Sequence, residues 1–225
     1  MSTGRGRLIV FEGVEGAGKS TQIERLAAVI GRSGATCRTF REPGGTAPGD
    51  IIRALLLDPA SQLSSRTEAL LFMASRAELV TREVRPALAA GDIVLLDRFF
   101  LSTYAYQVAG RGLSETDVRT LNRMATGDLI PDLTILLRLA ARDGLARAER
   151  RGSADRMEQS GDAFHARVEG AFTEFASEAW QAAHLECGPI VSIDARGTEA
   201  EVTARVLDAV AQHVTELRTT QGAVA

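Results

Sequence analysis

The sequence is nearly devoid of lysine. Its 225 residues carry 26 lysines and arginines together, and every one except Lys19 is arginine. A position that keeps lysine in such a chain wants a compact ammonium on a flexible stem rather than a planar fork. Histidine is scarce too. His165, His184 and His213 fall late and form no cluster, so no histidine general base is visible. The single asparagine is Asn122. The Asn-Lys-x-Asp signature that reads guanine is therefore absent, which argues against a GTPase. Two cysteines, Cys37 and Cys187, stand far apart and in no metal-ligand spacing. That excludes a disulfide framework and predicts reduced thiols in a cytoplasmic protein. No apolar run approaches the roughly 18 residues of a membrane span. The N-terminal MSTGRGR runs straight into a strand, so no secretory signal is expected. Net charge is −3 and the pI about 5.7, so no nucleic-acid partner is expected.

What is present is organised around residues 8–21, LIVFEGVEGAGKST. Leu8, Ile9, Val10 and Phe11 read as a short buried strand. Gly13-Val14-Glu15-Gly16-Ala17-Gly18-Lys19-Ser20 then fits G-x-x-x-x-G-K-[ST], and Thr21 follows. After it Ile23, Leu26, Ala27 and Ile30 recur at helical spacing. Strand, glycine-rich turn and helix form the context of a phosphate-binding loop. The glycines let backbone N–H groups turn toward phosphate oxygens, and the helix adds its positive end. Lys19 is placed to reach the β- and γ-phosphates of a nucleotide, and the Ser20 hydroxyl to ligate Mg²⁺.

Further strands are expected at 36–40, 93–96, 133–137 and 189–193, separated by helical stretches. That pattern predicts an α/β domain over 1–225, a five-stranded parallel sheet with helices on both faces. The second strand ends in Arg41-Glu42-Pro43-Gly44-Gly45-Thr46, a sharp loop where open α/β sheets bind ligands, or else a plain connector. A short helix is predicted over 48–57. A long one is predicted over 67–89, with Leu70, Leu71, Ala74, Ala77, Val80, Val84 and Leu88 on one face. Phe72 and Arg76 share an offset face, a pairing suited to a flat heterocycle. The third strand runs into Asp97-Arg98; Asp97 is a candidate for Mg²⁺ or simply a helix cap. A helix over 99–109 carries Ser102, Thr103, Tyr106 and Gln107. Helices are also predicted over 162–184 and 199–217, with a frayed tail over 219–225. Between them Arg142, Arg147, Arg150, Arg151 and Arg156 crowd together. They read either as a salt-bridged surface or as an arginine-rich lid near 147–160.

One reaction class needs no general base. A phosphate monoester is already dianionic near neutrality, its second pKa being about 6. Phosphoryl transfer to it demands alignment and charge neutralisation, which arginines and Mg²⁺ provide. Arg98 and the later arginines fit a nucleoside monophosphate kinase better than a sugar or protein kinase.

Over nearly its whole length the chain resembles the bacterial thymidylate kinase family. FEGVEGAGKST, REPGGT, LLFMASRAEL, LLDRFFLSTYAYQ, GDLIPDLTILL and RRGSADRME carry the resemblance. It implies transfer of the γ-phosphoryl of ATP to dTMP by a P-loop NTPase-type fold acting as a homodimer, with the long helix a candidate interface. It implies that residues 13–20 bind ATP, that Phe72 stacks on thymine and that Arg76 bonds its edge. Arg98 would hold the dTMP phosphate, Thr103 and Gln107 would line the base pocket, and Tyr106 would lie against the deoxyribose. Pro43 would pack near the nucleoside, and Glu15 would sit near the sugar 3′-OH and the metal. The phosphate loop has no basic residue at its variable positions, whereas Arg147, Arg150, Arg151 and Arg156 crowd the lid. That resembles the bacterial subtype, whose lid arginines serve the phosphates. The chain departs from the family at Arg138, where Asp is usual, and at Phe99, where Tyr or His is common. The rival expectations are a kinase for dUMP or UMP, and an ATPase or switch module.

Overall fold

The protein was analysed as a computed structural model, which describes residues 5–140, 142–144 and 155–214. Five strands form one sheet: β1 (Arg7–Glu12), β2 (Cys37–Arg41), β3 (Ile93–Asp97), β4 (Leu133–Arg138) and β5 (Ile190–Asp194). Their order is β2-β3-β1-β4-β5, and every pairing is parallel. In central β1, Leu8, Ile9, Val10 and Phe11 are buried on both faces, as parallel sheets require. From β1 the chain crosses out to β2; from β3 it crosses the other way to β4. The C-terminal ends of β1 and β3 thus form the switch point where ligands of such sheets lodge. Asp132 fixes the β1–β4 edge. Its carboxylate accepts from the Leu8 N–H at 2.8 Å and from Arg5 and Arg7 at 2.6 and 3.1 Å.

The helices are α1 (Lys19–Arg32), α2 (Ala47–Leu57), α3 (Ser65–Leu79), α4 (Arg85–Ala89), α5 (Phe100–Thr103), α6 (Glu115–Thr126), α7 (Asp162–Glu174), α8 (Glu178–Ala183) and α9 (Glu199–His213). Four differ from expectation, the simplest being the helix expected over 199–217, which ends at His213 where Val214 turns extended. The helix expected over 67–89 starts at Ser65 and widens to a π-helical turn at Val80–Val84 before α4. Pro86 lacks an N–H and crowds the preceding turn, which the wider turn relieves. Its expected apolar stripe also splits. Leu70 is 55% exposed and Ala74 is exposed, while Glu68, Ser75 and Arg76 turn inward. The helix expected over 162–184 breaks between α7 and α8, because Ser177 caps α8 by accepting from the Trp180 N–H. The helix expected over 99–109 is α5 followed by a π-helical segment, Tyr104–Gly110. The predicted tail over 219–225 lies outside the described residues.

Candidate active site

The glycine-rich loop joins β1 to α1 at the switch point. Gly13 and Gly16 have φ of 140° and 70°, which side-chained residues rarely adopt. A Cβ on Gly16 would strike the Gly144 carbonyl, and one on Gly144 would strike that of Glu15. The backbone at Gly144 therefore lies flush on the loop. Helix α1 begins without a capping side chain or an acidic residue in its first turn. Its leading N–H groups are left for an anion. Lys19 is buried, and its ammonium donates to the Gly13 and Val14 carbonyls at 3.1 and 3.0 Å. Burial, then the nearby Arg98, lowers its pKa from the ordinary value.

The Ser20 hydroxyl lies 3.0 Å from Asp97 Oδ2 at the end of β3, while Asp97 Oδ1 is buried without a partner among the described residues. One free carboxylate oxygen beside a hydroxyl is a hard-oxygen donor set that fits Mg²⁺. Among the described residues no group of three or more His, Cys, Asp or Glu could hold a metal. A cation held here would need its remaining ligands from phosphate and water.

Arg98 follows at once with φ 72°, a strained value for a non-glycine residue. Its guanidinium donates to Gly13 O, Ser102 Oγ and Glu15 Oε2 at 3.2, 2.9 and 2.7 Å, and lies 5.2 Å from the Tyr106 ring centre. Burial works against its charge, but the Tyr106 hydroxyl and the acids Glu15, Asp97 and Glu12 outweigh it and raise its pKa. Glu12, wholly buried, holds the turn from beneath. It accepts from the Phe99 N–H at 2.7 Å and from the Ser102 N–H and hydroxyl at 3.2 and 2.6 Å. Sequence reasoning missed Glu12, although a carboxylate ending a fully apolar strand was the available signal.

A cavity of about 280 Å³ runs from Lys19, Ser20 and Asp97 to Phe72, Thr103 and Gln107, with Pro43 and Tyr106 on its wall. At the far end Arg76 is 2% exposed. It donates to Glu42, Thr103 and the Phe99 carbonyl at 2.7, 2.9 and 2.8 Å, and also to Asn122. Burial pushes the Glu42 pKa up while Arg76 pulls it down. Gln107 donates to Glu68 at 3.1 Å. Glu42, Glu68 and Asn122 were not singled out from sequence. They come from three distant segments, and nothing local marks them. A second cavity, about 580 Å³, lies across the loop, lined by Val14, Arg138, Asp194 and Arg196. It too was missed.

Most of the expected sites thus fall around one cavity; Gly13, Val14 and Ala17 of the loop do not line it, and Val14 faces the second. The arginine-rich segment is a further exception. Arg147, Arg150 and Arg151 lie outside the described residues. Arg156 is described, and its guanidinium is 2.7 Å from both Glu68 Oε2 and the Leu56 carbonyl.

The sequence model for the thymidylate kinase family matches residues 11–186. The chain belongs to the thymidylate kinase family. A thymidylate kinase from Deinococcus radiodurans is 44% identical over 208 residues, covering 92% of this chain and 98% of that protein. One from Synechococcus sp. (strain JA-3-3Ab) is 47% identical over 200 residues, 88% and 92% of the two chains. One from Pseudomonas syringae pv. syringae is 42% identical over 214 residues, 95% and 98%. The thymidylate kinase match takes in the phosphate loop and both ends of the smaller cavity. It ends before Asp194 and Arg196 in the larger one. No helix among the described residues is long and apolar enough to cross a membrane.

Proposed function

We infer that the protein transfers the γ-phosphoryl group of ATP to dTMP, giving ADP and dTDP. The observation that carries this is one continuous cavity with a phosphate loop at one end and an aromatic, hydrogen-bonding pocket at the other, in a chain of the thymidylate kinase family. Two nucleotides that meet phosphate to phosphate need such a two-ended site.

In this reading the loop amides from Gly13 to Thr21 and the start of α1 take the ATP phosphates. Lys19 exchanges its loop carbonyls for the β- and γ-oxygens. Ser20 and Asp97 hold Mg²⁺, which when bound neutralises charge on the phosphates. Arg98 holds the dTMP phosphate, already preset by its fixed backbone and three acceptors. Glu15, paired with Arg98, sits near the sugar 3′-OH. Phe72 stacks on the base; Pro43 and Tyr106 flank the sugar; Thr103 and Gln107 face the base edge. Arg76 has all its N–H groups engaged, so one partner must be exchanged for it to bond the base directly. Arg147, Arg151 and Arg156 complete the charge stabilisation from the lid; for Arg156 that means leaving Glu68.

The acceptor oxygen needs no base, since the phosphate is ionised near neutral pH. The whole chain acts as one domain, as a homodimer in the cytoplasm. Exposed Ile51, Leu55 and Leu70 on packed helices α2 and α3 supply an apolar face for the partner copy. The deciding experiment is coupled ADP release with ATP and Mg²⁺, with and without dTMP, against dUMP, UMP and dGMP. Strong dependence on dTMP supports the reading. Better turnover of dUMP or UMP reassigns the acceptor, and hydrolysis indifferent to every monophosphate makes the chain an ATPase.

A further inference from the structure

The Glu68 carboxylate is 1% exposed and is met by three side chains, Gln107 and Arg111 from one stretch and Arg156 from another. Oε1 accepts from Gln107 Nε2 at 3.1 Å and Arg111 Nε at 3.0 Å. Oε2 accepts from Arg111 Nη2 at 3.1 Å and Arg156 Nη1 at 2.7 Å. Two guanidiniums on one buried carboxylate keep it ionised, and an ionised carboxylate can only accept. The Gln107 amide can therefore meet Glu68 only with its NH₂ end. Its carbonyl end is the one left for the cavity that Gln107 lines. Glu68 and Phe72 lie four residues apart on α3, so the same rigid element carries the stacking ring and the group that orients the amide.

We propose that Glu68 is a positioning residue that fixes which end of the Gln107 amide faces the acceptor base, and so selects pyrimidines bearing a ring N3–H over those with a bare N3. The proposal rests on the kinase reading above. Thymine and uracil carry that N–H and suit a carbonyl acceptor. Cytosine presents a lone pair at the same position and is repelled by it. The device works at one remove: Arg111, which meets both carboxylate oxygens and stays when Arg156 leaves for the phosphates, holds the charge, the charge orients the amide, and the amide reads the ring.

The test is steady-state kinetics of the full chain with dTMP, dUMP and dCMP. In Glu68→Gln the new amide must turn its oxygen to the arginines and its NH₂ to Gln107, which reverses the Gln107 amide. The dTMP-over-dCMP ratio of kcat/KM should fall about tenfold or more, mainly through KM, while the dTMP-over-dUMP ratio holds, since both rings carry the N–H. Glu68→Asp keeps an acceptor-only group and should retain the dTMP-over-dCMP ratio. An equal loss for all three acceptors in Glu68→Gln means a merely structural role and overturns the proposal. Should that variant fail to fold, Gln107→Met decides: an unaltered dTMP-over-dCMP ratio there overturns the proposal too. Wild-type chain with no dTMP-dependent ADP release overturns the kinase reading itself, a result distinct from either.

Discussion

The two ends of the cavity are built from different materials. The end at Lys19 is made of backbone: turned amides, a helix start, and an ammonium resting on two carbonyls. The end at Phe72 is made of buried charge: Arg76 with Glu42, and Glu68 with Arg111 and Arg156. Backbone geometry is a local property and tolerates few substitutions but little depends on it elsewhere. Buried ion pairs are long-range, and each member removed strands the other in a medium that cannot solvate it. The first end should therefore fail in rate and the second in stability.

The largest expected effect breaks the second end. Arg76→Ala leaves the Glu42 carboxylate buried and unpaired and should cost about 3–5 kcal/mol in urea unfolding. Arg76→Ala with Glu42→Gln should recover part of it, and no recovery would mean that the pair is not the cause. Next, Lys19→Ala should lower kcat on the order of 10²–10³. Its unfolding midpoint should move little, because a buried ammonium is removed along with its desolvation penalty. Near-wild-type turnover in coupled assay would reject Lys19's assigned role. Phe72→Ala should raise the dTMP KM about tenfold through lost stacking area while leaving that for ATP unchanged. An unchanged dTMP KM would remove Phe72 from the pocket. Asp132→Asn, far from either end, should cost about 1 kcal/mol of stability and no activity.

The smallest signature is in pH. Burial opposes the Glu68 charge, but Arg111, Gln107 and Arg156 outweigh it and hold its pKa below the ordinary value. A carboxylate so depressed contributes stability at neutral pH that is lost as pH falls through its folded pKa. Between pH 7 and pH 3, Glu68→Gln should lose less stability than wild type; equal losses would show that this carboxylate is not the titrating group.

This contrast also explains what could be read before any coordinates. The loop, Lys19, Ser20, Asp97 and Arg98 lie on short contiguous stretches at strand ends, so spacing marked them, although it left Asp97 open as a helix cap. Strands β1, β3 and β4 announced themselves as apolar runs, while β2, CRTFR, is not one. Helix α3 shows the opposite case. Its apolar residues suggested one buried face, yet Leu70 is exposed and Arg76 buried, because tertiary partners from the loop after β2, from α5 and from α6 decide which side is inside. Glu12 carried a local signature that went unread, a carboxylate closing an apolar strand, whereas Glu42, Glu68 and Asn122 carry none at all. Their meaning is a distance across the fold, and such distances are not written in spacing.

The Lys19 ammonium, lodged against the carbonyls of Gly13 and Val14, has one more consequence. The loop's curvature is closed upon itself by its own cation before any guest arrives. A nucleotide then finds a finished mould and has only to displace two oxygens from one nitrogen, so docking should need scarcely any reshaping of the chain there.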